Sequence, residues 1–203
     1  MKIGGASTSS GLISAACLNL PLSVRYNPEN MYIAGIVPGP HEPRDDELNH
    51  YIRPLINDFL VSWERSVHYS RTACHPTGRD TRSAVALCVC DIPGGRKLTQ
   101  TAAGSSNHYC SVCHCWGIST VGRSDFDHPD WKNKDASDQR EKAEAYRDAK
   151  SVKERDALFL KNGIRWSELW RLPYWDPARM LVVDSMHCLL EGTAHFHFRH
   201  VLG

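Results

Sequence analysis

A chain of 203 residues can bury one core and little more. With 41% hydrophobic and 23% charged residues it has the composition of a folded, water-facing protein, which excludes disordered and fibrous classes. A formal net charge of +1 and a pI of about 7.7 argue against a self-sufficient basic DNA-binding domain, so any contact with nucleic acid is local or shared with other sequence.

In chain order, the small and polar residues 4–11 predict a loop. Residues 12–22 predict a strand closed by Pro21, and residues 31–37 a second strand stopped by Pro38-Gly39-Pro40. The apolar stripe of Leu48, Tyr51, Ile52, Leu55, Ile56, Phe59, Leu60 and Trp63 has helical period. Asp45 or Asp46 can cap that helix, and Pro54 predicts a kink or restart on its other face. Residues 84–90 form a continuous apolar run ending at Ile92-Pro93-Gly94-Gly95, which predicts a strand buried on both faces.

A polar stretch over 99–107 leads to a cysteine cluster, and residues 125–134 read as loop. Residues 137–161 are rich in Glu, Lys, Arg and Ala, with a thin apolar face of Ala145, Ala149 and Val152. They predict a solvated helix or helical pair inserted at the surface and ended by Gly163. Trp166, Leu169, Trp170, Leu172, Tyr174 and Trp175 gather around Pro173 as a buried aromatic turn. A short buried strand over 180–183 follows, with Asp184 at its exit and a helix over 185–200. There is no internal repeat. The pattern suggests three parts: 1–98, 99–163 and 164–203.

Eight cysteines would suit a disulfide framework, but their placement does not. Cys88 and Cys90 lie in an apolar run, while Cys110, Cys113 and Cys115 surround His114; buried thiols with a metal knuckle fit a reducing compartment, nucleus or cytosol. The apolar run at 11–20 is too short to span a membrane and has only Lys2 before it. Neither a membrane partner nor a signal peptide is expected.

Asp91 stands where the apolar run emerges, and a carboxylate there is costly to desolvate unless a cation sits beside it. It could ligate Mg²⁺, which shares oxygen ligands among carboxylate, water and phosphate, or it could simply cap the turn that follows. Cys110-x-x-Cys113 has zinc-knuckle spacing but supplies two ligands of the four a closed site needs. His187, His195, His200, His108, His114 and Cys115 are candidates for the remainder. A thioredoxin-type pair is disfavoured because no strand–helix unit frames it. Asp184 could cap the last helix through the backbone N–H of position 187. Alternatively, His187, which shares a helix face with Glu191 and His195, could complete the Cys110/Cys113 site.

In order along nearly the whole chain stand Cys17-Leu18-Asn19-Leu20-Pro21, Tyr26-Asn27-Pro28-Glu29-Asn30-Met31, Ala34-Gly35-Ile36-Val37-Pro38-Gly39-Pro40 and Cys90-Asp91-Ile92-Pro93. They are followed by Cys110-Ser111-Val112-Cys113, Arg165-Trp166-Ser167-Glu168-Leu169, Arg171-Leu172-Pro173-Tyr174-Trp175-Asp176-Pro177 and Val183-Asp184-Ser185-Met186-His187. This ordered set resembles the Tnp2-type transposases of CACTA-like elements, particularly the fungal Kyakuja–Dileera–Zisupton and Plavaka-like group. The resemblance implies an α/β, RNase H-like core, a mixed sheet with flanking helices, carrying a zinc knuckle and a helical insertion. It implies three acids binding two Mg²⁺ or Mn²⁺ ions, a Zn²⁺ site, transposon-end DNA as partner, no small-molecule substrate and a nuclear location.

Asp91 matches the second acid, Cys110 and Cys113 the thiol zinc ligands, and Asp184 and His187 the Asp-x-x-His signature assigned to metal binding. The family's first aspartate would lie upstream of Met1 and its final glutamate downstream of Gly203; Glu191 sits where the family has an apolar residue. The expectation is therefore an internal fragment that is inactive alone and prone to self-association through an exposed sheet edge. A non-catalytic zinc-binding module contacting protein or DNA is the alternative.

Overall fold

The computed structural model describes residues 10–44 and 46–202 and is a mixed α/β chain whose sheets are small. It divides into two compact units, Met1–Leu55 and Ile56–Gly203, so the boundaries expected near 98 and 163 both fall inside the second. Among the described residues no sheet has more than two strands. Asp45 and most of the expected opening loop lie outside the described residues.

In the first unit β1 (Gly11–Ala16) pairs antiparallel with β2 (Met31–Val37), with a bulge between Ile13 and Ser14. β2 matches the sequence expectation. β1 ends six residues before the predicted position 22, because Leu20 N–H turns back to the Cys17 carbonyl at 3.1 Å and Pro21 starts the short helix α1 (Leu22–Arg25). The Arg25 guanidinium donates to the carbonyls of Leu18 (2.8 Å) and Leu20 (2.9 Å), satisfying acceptors that the turn leaves without strand partners.

Helix α2 (Leu48–Arg65) runs through the unit boundary and continues across Pro54 without a restart. Ile52 and Ile56, one turn apart, are its most buried side chains, while Pro54 is exposed. The proline removes one backbone donor, but on a solvated face water can serve the acceptor left behind.

The second unit opens with a hairpin of β3 (Val67–Tyr69) and β4 (Arg79–Thr81). Next comes β5 (Cys88–Cys90), which heads helix α3 (Ile92–Thr99). Only these last residues of the predicted strand at 84–90 form a ladder. Upstream of them Val85 N–H is held by the Tyr174 hydroxyl at 3.0 Å, a side chain standing where a neighbouring strand would be. Nor is the strand buried on both faces, since Val89 is 57% exposed.

Helices α4 (Ala136–Asp148) and α5 (Val152–Asn162) form the expected helical pair, capped by Asp135 and Ser151. The contact face differs from the predicted one. Of the expected residues Ala149 is buried, but Ala145 and Val152 are exposed, and α4 also buries Ala143 and Gln139. Between these two, Arg140 reaches the aromatic turn: Nη1 donates to the Trp170 carbonyl and Nη2 to that of Leu172 at 2.9 Å. Its guanidinium also lies over the Trp170 ring, 5.3 Å from the centroid, as Arg147 lies over Trp166 at 4.5 Å.

That turn supplies Trp170, Trp175 and Leu172, which are among the largest fully buried side chains. Leu169, Trp170, Leu172 and Trp175 are buried, as the sequence predicts, together with Ile164, Ala102 and Ser167. Ser167 Oγ donates to the Leu98 carbonyl at 2.8 Å, tying the turn to the last residues of α3. The short helix α6 (Pro177–Met180) then delivers β6 (Leu181–Val183), which pairs parallel with β5. Gly95 of α3 packs on it: a Cβ there would stand 3.1 Å from Leu181 Cδ1. The chain ends in π-type helix over Met186–Ala194 and His197–Val201.

Replacing Arg140 by Leu strips two charge-assisted bonds from carbonyls of buried residues and should destabilise the fold by about 2–4 kcal/mol. Urea unfolding checks this as a lower midpoint with unchanged slope. Arg140→Lys should recover less than half of the loss, since an ammonium cannot fork between two acceptors.

Candidate functional site

Strands β5 and β6 run parallel with Cys90 opposite Val183, and Asp184 N–H extends the ladder to the Cys90 carbonyl at 2.8 Å. The next residue on each strand is a carboxylate. Asp91 and Asp184 therefore leave the sheet at the same end, although most of the second unit separates them in sequence.

Asp91 caps the turn: Oδ1 accepts the Gly94 N–H at 2.6 Å and starts α3. Its Oδ2 makes no hydrogen bond among the described residues and is left for another partner. Asp184 is more fully engaged. Oδ1 accepts the Met186 N–H at 2.9 Å, and Oδ2 pairs with His187 Nδ1 at 2.6 Å. The Met186 N–H and the His187 ring hold the Asp184 carboxyl below its ordinary range. His187 moves the other way, raised by its bond to Asp184 and further by the charges of Asp184, Glu191 and Asp91. Asp91, Asp184 and His187 thus share one electrostatic neighbourhood.

The sign of each shift follows. The raised His187 favours the folded chain below the ordinary imidazole range, a contribution lost as pH rises through the raised value. The lowered Asp184 contributes above the ordinary carboxylate range, and this is lost as pH falls through the depressed value. Between those limits both partners are charged. Histidine-selective NMR should find His187 titrating above a free imidazole, and Asp184→Asn should return it towards the ordinary value.

The thiols form a second cluster. Cys113 N–H donates to Cys110 Sγ at 3.2 Å, and the two sulfurs are 2.9 Å apart. Residues 112–114 lie along 132–134: Cys113 bridges Asn133, Lys134 N–H reaches the Val112 carbonyl at 2.8 Å, and His114 N–H reaches that of Lys132 at 3.2 Å. Lys134 Nζ donates to the Cys110 carbonyl at 2.6 Å. Burial pushes the Cys110 thiol up, but hydrogen bonds from Cys113 and the backbone, with the Lys134 ammonium, outweigh it and leave the thiol below its ordinary value. Cys113 is pushed up to about 12 by burial and by its bond to Cys110. Iodoacetamide at neutral pH should therefore label Cys110 well before Cys113, as read by peptide mass spectrometry.

The two clusters fit metals in kind and incompletely in number. Paired carboxylates at a sheet end suit a hard, oxygen-seeking cation. Cys110 and Cys113 suit zinc, but tetrahedral ligands at about 2.3 Å from the ion stand about 3.8 Å apart, wider than the 2.9 Å between these sulfurs. Of the other candidate ligands, His187 is held by Asp184, His108 meets the Leu160 carbonyl at 3.3 Å, and Cys115 Sγ meets the Asp130 carbonyl at 3.6 Å. Among the described residues no group of three or more His, Cys, Asp or Glu is arranged to hold a metal ion.

Two features were not foreseen from sequence. One is Lys134, read only as part of a loop. The other is a cleft of about 510 Å³ lined by Ser106, Asn107, His108, Trp116, Leu160 and Lys161. Its one sequence signal is a tryptophan in polar surroundings directly after the cysteine cluster. No helix among the described residues is long and apolar enough to cross a membrane. No family model, curated protein or solved structure matches the chain.

Proposed function

We propose that the chain is part of the catalytic core of a DDE-type DNA transposase of the Tnp2 kind, with an RNase H-like ancestry and a nuclear site of action on transposon-end DNA. The observation that carries this reading is the exit of Asp91 and Asp184 side by side from two parallel strands, with His187 bonded to the second. An α/β sheet presents its ligands at the carboxyl ends of its strands, where loops and helix starts converge.

In this reading Asp91 Oδ2 and Asp184 would hold Mg²⁺ or Mn²⁺, and such ions supply the clamp on attacking and leaving oxygens in phosphoryl transfer. Asp184 orients the His187 ring through Nδ1, and the protonated ring offers Nε2–H to an anionic DNA oxygen. Two carboxylates are fewer than the three the family uses. The chain alone is therefore expected neither to cut nor to join DNA ends, because several kcal/mol of transition-state stabilisation are missing.

Manganese binding followed by water-proton relaxation tests the assignment. The chain should bind Mn²⁺ saturably, and Asp91→Asn and Asp184→Asn should each weaken binding about tenfold or more. Equal binding by both variants would overturn it, as would nicking of supercoiled plasmid by the unmodified chain in Mn²⁺.

A second reading, a zinc-binding module that contacts protein or DNA without cutting, is favoured by the backbone N–H bonded to Cys110 Sγ, the kind of support a thiolate ligand uses. Tightly held zinc that is lost on Cys110→Ser, with no manganese response at Asp91, would select it.

A further inference from the structure

We infer that the cleft between Trp116 and Lys161 binds a nucleotide unit, its base stacked on the Trp116 indole and its phosphate held by Lys161. This goes beyond the metal-centre reading and does not depend on it.

Trp116 is 56% exposed, yet its neighbours are fixed: Cys115 is buried, and Gly117 N–H is bonded to the Asn107 carbonyl at 2.8 Å. The backbone on both sides of the exposed indole is thus anchored. The indole meets the His108 ring at 6.5 Å and nearly perpendicular (77°), and among the described residues no ring stacks parallel on it. A large flat side chain kept in water with an unstacked surface suits a planar, polar-edged ligand better than a core partner.

The polar groups around it are spare donors. Asn107 Oδ1 is used by the Ile118 N–H at 3.1 Å, which leaves its amide N–H₂ to donate. Ser106 Oγ accepts the His108 N–H at 3.1 Å, which leaves its hydroxyl proton to donate. Lys161 makes no ion pair among the described residues. No carboxylate lines the cleft, and the charges of Lys134 and Lys142 reach His108 in its wall. An aromatic platform, two neutral donors and an unopposed ammonium favour a base attached to an anion. A cavity of about 510 Å³ has room for one such unit. The nucleotide can come from solution or from an unpaired position of a single strand, and the recognising chemistry is the same.

The test uses the full chain in EDTA, so failure of the metal centre cannot mask the result. Tryptophan fluorescence follows titration with dAMP and with inorganic phosphate, and anisotropy follows a fluorescein-labelled single-stranded dT oligonucleotide. Saturable binding of dAMP or of the oligonucleotide is expected. Preference for the oligonucleotide assigns the site to a strand, and comparable binding of dAMP assigns it to a free nucleotide. Trp116→Ala should weaken binding about 5- to 150-fold, the range measured for base–aromatic stacking. Lys161→Gln should weaken it more at low salt than at high salt. Both side chains are exposed, and circular dichroism serves to check that the variants fold. Failure of both probes to bind, binding unchanged in both variants, or phosphate bound as tightly as dAMP would overturn the inference.

Discussion

Three rungs of parallel ladder, Cys88–Cys90 against Leu181–Val183, close the second unit upon itself. Parallel strands cannot be joined by a tight turn, so everything from α3 to α6 is a single crossover between them. A two-stranded ladder is marginal on its own in water. Helix α3 packs on it through Gly95 against Leu181, and α3 is tied by Ser167 to the buried Trp170, Leu172 and Trp175 turn, which Arg140 also fastens. The placement of the two carboxylates thus depends on α3 and, through it, on the aromatic turn.

Arg140 shows why a charged helix need not be a free one. Its guanidinium carries two bonds to main-chain oxygens and covers an indole face, so a polar side chain does work usually assigned to leucine. Reading the apolar residues of α4 and α5 alone makes the pair look unattached. The attachment is electrostatic and backbone-directed, and leaves no trace in hydrophobic periodicity. Ala143 contributes by smallness, letting the helix come close enough for the arginine to reach.

What could be read in the sequence was local. β2, α2, the helical pair and the tryptophan turn each carry their own pattern of period or punctuation, and each is found close to its expected place. The run at 84–90 forms less strand than its composition suggests, because apolar composition cannot tell a strand from a segment held by a single tyrosine hydroxyl. Adjacency of Asp91 and Asp184 depends on a long-range register that neither segment encodes alone. The cleft depends on three separate stretches meeting. The sulfur pair was visible by spacing, while its lysine neighbour arrives from a second segment aligned by backbone bonds.

Gly163 closes α5 in a left-handed turn, with its N–H returned to the Phe159 carbonyl at 2.7 Å, and the space a side chain would take is already filled by His108. The stop signal of a helix and the position of an imidazole ring are therefore one geometric fact. Any bulk added at the stop would be felt first as a displaced wall in the neighbouring hollow, before the helix itself lost a turn. Backbone handedness here sets the width of an opening.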